Sequence, residues 1–192
     1  MNREKYEKEY EAMAERKASS ELIFDGTVLH VYRDDITLPD GNAGFRELIR
    51  HIGAVCIVPV TEKGNIILER QYRYAIDSVI TEIPAGKLDY REEDRLEAAK
   101  RELREETGYT ADCWENLGDF IPAPAYSDER ITMYLATGLH KGERDLDDDE
   151  FLQVIEMPIE EAVRQVMAGE ITDAKTMAGI LKAAYSTGNH ML

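Results

Sequence analysis

The spacing of apolar residues changes several times along the chain, and each change marks an element. Residues 1–18 scatter apolar positions among many charges and predict an amphipathic helix or a frayed arm. Leu22–Phe24, Val28–Tyr32 and Asp35–Leu38 then read as short strands, broken at Asp25-Gly26 and Pro39-Asp40-Gly41. Together they predict a small antiparallel lobe, and Phe45–His51 resumes as a strand. Gly53–Val60 is apolar without alternation, the pattern of a buried central strand. Lys63-Gly64-Asn65 is a turn, Ile66–Tyr72 its hairpin partner and Val79–Ile83 a further short strand, after which Pro84-Ala85-Gly86 interrupts regular structure.

From about Asp94 to Thr107 the pattern turns helical, with Leu96, Ala99 and Leu103 on one stripe and Gly108 as the stop. Cys113–Ile121 and Arg130–Leu139 read as strands around the loop Pro122–Glu129. An acidic loop, Asp145–Glu150, precedes the strand Phe151–Met157, and Ile159–Ala168 and Thr172–Tyr185 predict two last helices. Strands and helices mix without strict βαβ alternation, so the class is α/β or α+β with a mixed sheet. The expected division is an N-terminal arm and antiparallel lobe over residues 1–48 and a main domain over 49–192.

Composition narrows the partners. The 192 residues are 43% hydrophobic and 32% charged, enough for a core and a well-solvated surface. The formal net charge of −16 argues against nucleic acid or an anionic membrane as the main partner. A polyanionic ligand can still enter an acidic protein when metal ions stand between the two. No apolar run reaches the roughly 18 residues of a membrane span, and the charged start does not read as a secretory signal. Cys56, inside AVCIVPV, reads as a buried free thiol, and Cys113 lies far from it. With no CxxC spacing, the expectation is a reduced, cytoplasmic protein.

The chemistry concentrates between Gly86 and Tyr109. Glu102, Glu105 and Glu106 stand three and four residues apart, a spacing that places carboxylates together on a helix face. Held that close they repel unless a cation lies between them, and their hard oxygens suit Mg²⁺ or Mn²⁺. Mg²⁺ takes one or two carboxylates and completes its shell with water and substrate phosphate oxygens. Arg101 can pair with Glu105 or reach Glu93, and either contact would orient a ligand carboxylate. Gly86 permits a sharp turn that lets backbone carbonyls near Ala85 face a metal.

This segment resembles the Nudix box, G-x5-E-x7-R-E-U-x-E-E-x-G-U with U a bulky apolar residue, through Gly86, Glu93, Arg101, Glu102, Leu103, Glu105, Glu106, Gly108 and Tyr109. It departs once: six residues, not five, separate Gly86 from Glu93, and Glu92 would restore that spacing only by lengthening the next. The extra residue is expected to swell the loop 87–92 and leaves the role of the first glutamate open. Tyr109 is also a looser match than an aliphatic residue. The resemblance implies an α/β/α sandwich with a mixed central sheet. It further implies metal ligation by Glu102 and Glu106, support or further ligation by Glu105, a ligating carbonyl at Ala85, and two or three Mg²⁺ ions, with Mn²⁺ as substitute.

RHIGAVCIVPV, LERQYRYAI and EIPAGKLD, with Pro124 sixteen residues after Gly108, resemble the ADP-ribose pyrophosphatase branch of that family over roughly Gly26 to Met157. That branch implies hydrolysis of ADP-ribose to AMP and ribose 5-phosphate, and a homodimer formed through the N-terminal lobe. By the same resemblance Arg46 and Arg73 meet the adenosine or the diphosphate, and Glu82 and Glu129 lie near the metal and the terminal ribose. Tyr32 or Phe24 would stack on the base. The catalytic base comes from the acidic loop, with Glu150 favoured and Asp148 next. Other readings are a different nucleotide sugar, such as ADP-glucose or GDP-mannose, or a non-catalytic module that senses one.

Overall fold

The computed structural model describes residues 3–146 and 151–186. The chain forms two compact units, one running up to His51 and including Ala123–Glu129, the other comprising Ile52–Pro122 and the chain from Arg130 onwards.

In the first unit, helix α1 (Arg3–Met13) precedes three strands, β1 (Arg16–Asp25), β2 (His30–Thr37) and β3 (Ala43–Arg50). They form one antiparallel sheet in the order β1-β2-β3. β1 is exposed along its whole length. It begins where the sequence predicts helix up to residue 18. β2 joins two stretches that the sequence separates, because Asp34 takes an inward position among apolar neighbours. Asp34 and Ile36 are both buried, and Asp34 is held there by Arg50 Nη2 at 3.0 Å. A paired inward charge continues the period-2 burial while breaking its hydrophobic signature.

The second unit contains β4 (Ala54–Pro59), β5 (Asn65–Arg73), β6 (Ser78–Glu82), β7 (Ala85–Lys87), helix α2 (Arg95–Glu102), β8 (Tyr109–Phe120), β9 (Ile131–Lys141), β10 (Leu152–Pro158), α3 (Ile159–Met167) and α4 (Ala174–Ser186). One sheet has the order β7-β4-β9-β8 and the other β10-β5-β6. β4 and β9 run parallel while every other pairing is antiparallel, so the larger sheet is mixed and the class is α/β. The apolar run of β4 has a simple cause: it is buried on both faces. Ala54, Cys56 and Val58 pack with residues of α3, α4, β5 and β9, whereas Val55 and Ile57 pack with Ala98, Ala99 and Leu103 of the helical segment after residue 94. Helices thus cover the sheet on two sides.

Pro84-Ala85-Gly86, which in sequence reads as a break, contributes to a strand. β7 is only three residues long and pairs with β4 through Cys56↔Ala85 and Val55↔Gly86. Pro84 sits just before it and offers only its carbonyl, which accepts from Ile57 N at 2.9 Å. A proline at a strand's beginning removes no ladder donor, so the pairing survives.

Candidate active site

The candidate site is built from β7, the loop after it, and α2 with its continuation. Asp94 caps the helix, its carboxylate accepting from Leu96 N at 2.9 Å and Glu97 N at 3.0 Å. Ala98, Ala99 and Leu103 fix the inward face. Over Leu103–Thr107 the helix widens into a π turn, and Gly108 ends it at φ 77° with its N–H on Arg104 O at 2.9 Å. The widening is invisible to a reading based on α-helical spacing. Glu102 and Glu106 are buried and Glu105 is half-buried.

The two buried carboxylates close on one peptide. Glu106 Oε2 accepts from Ala85 N at 3.0 Å. The carboxylate of Glu102 fills the space beside Gly86 that any other residue's β-carbon would need. Ala85, Gly86, Glu102, Glu105 and Glu106 line a cleft of about 230 Å³ together with Lys87, Asp89, Arg101 and Asp145. Asp145 belongs to the acidic run, and nothing in the sequence sets it apart there. Its N–H reaches Glu105 O at 3.1 Å, and nearby Gly142 N reaches Gly108 O at 2.7 Å, so the chain leading into the acidic loop is tied to the end of the π turn.

Of the two cations that line the cleft, Lys87 and Arg101, Arg101 is the one in contact with its carboxylates. Its Nη1 donates to Glu102 Oε1 at 2.7 Å and Glu105 Oε2 at 3.3 Å, and its Nη2 reaches Glu93 Oε1 at 3.4 Å. It thus makes both of the pairings that its sequence position allows. Its Nε is buried with no hydrogen-bond partner among the described residues. Burial works against its charge, but Glu102, Asp89, Glu93 and Glu105 outweigh that and raise its pKa above the usual arginine value. Glu93 also accepts from Asp89 N at 2.7 Å, while its own N–H reaches Tyr90 O at 3.1 Å. Leu88, fully buried, anchors the loop's start with its N–H on Gly53 O at 3.1 Å, and Tyr90, Arg91 and Glu92 project outward. The extra residue therefore sits in an exposed turn, and Glu93 rather than Glu92 faces Arg101.

Among the described residues, no three acidic, histidine or cysteine side chains converge closely enough to ligate an ion as they stand. The Arg101 guanidinium lies instead between Glu102 and Glu105. The donor set nevertheless fits a hard divalent ion: three carboxylates beside a glycine whose missing side chain lets one of them approach the backbone.

A second charged group flanks the cleft. Arg73 Nε donates to Glu82 Oε2 at 2.6 Å, and Lys175 Nζ pairs with Glu82 Oε1 and lies 3.0 Å from Asp173 Oδ2. Glu82 is buried and sits opposite the buried Glu69 in the β5–β6 register. Burial lowers the Arg73 pKa, but Glu82, Glu106 and Asp173 raise it further, so the net shift is upward and the guanidinium senses the cleft carboxylate Glu106. Lys175 and Asp173 belong to no motif and lie some ninety residues from Glu82, so no local pattern reveals them.

Arg46 and Glu129 belong to the first unit. There Arg46 pairs with Glu15 and donates to Phe45 O at 2.8 Å, and Glu129 lies 3.7 Å from His51 Nδ1. Of the stacking candidates, Phe24 is exposed and Tyr32 has the Arg50 guanidinium 5.5 Å from its ring centre. Asp148 and Glu150, the candidate bases, lie outside the described residues.

A helix-and-loop cleft of this composition, set on a mixed sheet between helices, is the hallmark of one hydrolase family. The chain belongs to it: the family model for the NUDIX domain matches residues 50–179. Among its relatives, an ADP-ribose pyrophosphatase of Bacillus subtilis (strain 168) is 41% identical over 171 residues, covering 88% of this chain and 92% of that protein. A methanol dehydrogenase activator of Bacillus methanolicus is 40% identical over 168 residues, covering 86% and 90%. The crystal structure of an ADP compounds hydrolase superposes with a TM-score of 0.81 at 23% identity, over 93% of this chain and 97% of that one, and so shares its fold.

Proposed function

We propose that the protein hydrolyses the pyrophosphate bond of a nucleotide sugar, ADP-ribose foremost, giving AMP and ribose 5-phosphate. The observation that carries this reading is the pair of buried carboxylates, Glu102 and Glu106, closed on the Ala85–Gly86 peptide with Glu105 beside them. The similarity to an ADP-ribose pyrophosphatase at 41% identity supports the choice of substrate.

In this reading Glu102, Glu105, Glu106 and the Ala85 carbonyl hold two or three Mg²⁺ ions, with Mn²⁺ as substitute. When bound, such ions neutralise charge on the diphosphate and lower the pKa of water. Arg101 keeps Glu102 and Glu105 oriented. Arg73 offers the diphosphate a planar fork, and Arg46 is the second arginine assigned to the nucleotide, which it meets by giving up Glu15 and the Phe45 carbonyl. Glu82 and Glu129 shape the substrate side. A carboxylate of the acidic loop, Glu150 or Asp148, takes the proton of the attacking water, and the bridging oxygen leaves with the other phosphate.

The protein is further proposed to act as a homodimer through the first unit and to work in the cytoplasm. β1 is an edge strand exposed throughout, with Leu22, Ile23, Phe24 and nearby Phe45 on the surface, and such edges are ordinarily covered. Both cysteines are free, as a reducing compartment keeps them. Among the described residues, no helix is long and apolar enough to cross a membrane.

Release of nucleoside monophosphate, AMP from ADP-ribose and ADP-glucose and GMP from GDP-mannose, measured with and without Mg²⁺, tests the activity. Metal-dependent turnover fastest on ADP-ribose is expected, and absence of metal-dependent turnover on all three would leave a binding module instead. Sedimentation equilibrium tests the dimer, and a monomer at micromolar concentration would refute it.

A further inference from the structure

Lys175 stands at the first turn of α4, where no motif places it, with only 12% of its side chain exposed. Burying an ammonium group is costly unless it is paired, and here it has two carboxylate partners, Glu82 and Asp173. Asp173 is itself fixed: its Oδ2 accepts from Thr176 N at 2.9 Å and Thr176 Oγ1 at 2.6 Å. Thr176 Oγ1 accepts in turn from Ile83 N at 2.9 Å, which ties the start of α4 to the end of β6. Glu82 thus has one oxygen held by a rigid helix end, and its other oxygen holds Arg73 Nε.

The effect falls on Arg73. It is the last residue of β5, four positions beyond Glu69, whose register partner is Glu82. To meet Glu82, the Nε end of its half-exposed side chain turns back along the strand. Only Nε is committed to that contact, and the two terminal nitrogens make no hydrogen bond among the described residues. The fork that recognises phosphate oxygens is therefore left open while the stem is clamped. Two acids and two bases, Glu82 and Asp173 with Arg73 and Lys175, balance within this network.

We infer that Lys175 is a positioning residue: through Glu82 it sets the direction in which Arg73 presents its guanidinium to the diphosphate. This rests on the nucleotide-sugar reading for its substrate, but the linkage itself is a property of the protein alone.

The test compares wild type with Lys175→Met, Lys175→Arg, Arg73→Ala and the Arg73→Ala/Lys175→Met double variant, using ADP-ribose and Mg²⁺. Lys175→Met is expected to raise KM about tenfold with kcat changed less than about threefold, the signature of lost binding shared by ground state and transition state. Lys175→Arg should recover most of that loss. In the Arg73→Ala background, Lys175→Met should have little further effect, because the residue through which it acts is gone. Equal factors in both backgrounds would mean that Lys175 is merely structural, and would overturn the inference. The Nε–H resonance of Arg73, identified by its loss in Arg73→Ala, gives a readout without turnover. Its exchange with water should quicken at least tenfold in Lys175→Met and return towards wild type in Lys175→Arg. An unchanged rate refutes the linkage, whereas a quickened rate in a protein that hydrolyses no nucleotide sugar sustains the linkage and refutes the substrate. Should Lys175→Met not fold, Lys175→Gln takes its place in both measurements with the same expected signs.

Discussion

Gly86 and Glu102 compete for one volume: the carboxylate of Glu102 occupies the position where a side chain at Gly86 would start. Gly86→Ala must therefore push the carboxylate out of its seat. A displacement of about 1 Å in a reacting assembly can cost about a hundredfold in rate, and at least that loss of kcat/KM on ADP-ribose is expected. Steady-state kinetics checks it, and activity within threefold of wild type would show that Glu102 needs no fixed seat.

Glu106→Gln keeps an oxygen to accept from Ala85 N, so the fold should hold, with thermal unfolding moved by no more than about 4 °C, about 1 kcal/mol at this size. Turnover should fall by about 10²- to 10³-fold, as when a preorganised electrostatic group is lost. The stabilisation given by Mg²⁺ in a thermal melt should shrink with it. A mild kinetic effect would remove Glu106 from the ligand set.

Arg101→Ala takes away a cation that touches Glu93, Glu102 and Glu105. Leaving those carboxylates without it should cost on the order of 3 kcal/mol, or about 6–12 °C in thermal unfolding. Because a divalent ion can take over the same charges, added Mg²⁺ should raise the melting temperature more in the variant than in wild type. Equal shifts in the two proteins would show that guanidinium and metal do not share partners.

The two cysteines should behave as opposites. Burial pushes the Cys56 thiol from 9.0 up to about 12, whereas Cys113 is exposed. At pH 8 a thiol reagent should label Cys113 in the native protein and reach Cys56 only on unfolding. Well below pH 9, Cys56 is neutral in both states and does not affect stability. Between pH 9 and 12 the unfolded chain loses a proton that the folded one keeps, so stability falls as pH rises, by at most about 1.4 kcal/mol per pH unit from this group. Denaturant titrations from pH 8 to 11 should give a shallower decline for Cys56→Ala than for wild type. Parallel curves would contradict the burial effect.

Patterns that a single element can express are legible in the sequence. The helix from about Asp94 announces itself through an apolar stripe and a terminal glycine, although its Asp94 cap shows only in the structure, and β4 through an unbroken apolar run. Gly86, Glu102, Glu105 and Glu106 stand around one cleft. What stays hidden depends on partners far away along the chain. β7 consists of three residues after a proline and exists because β4 offers it a ladder. The pattern of β2 is interrupted because a paired aspartate sits where an apolar residue would ordinarily point inward. The π turn changes hydrogen-bond register without changing composition, and Lys175 meets Glu82 only through the packing of α4 on β6.

The loop between Leu88 and Glu93 has a wider consequence. It is pinned at its entrance by a buried leucine and clasped at its exit by a glutamate folded onto the Asp89 amide. Whatever slack lies between the pins stays outside, at Tyr90, Arg91 and Glu92. The side chains of those three residues face away from the cleft, so a reporter group grafted there should sit at the doorstep of the chemistry without touching Glu102, Glu105 or Glu106.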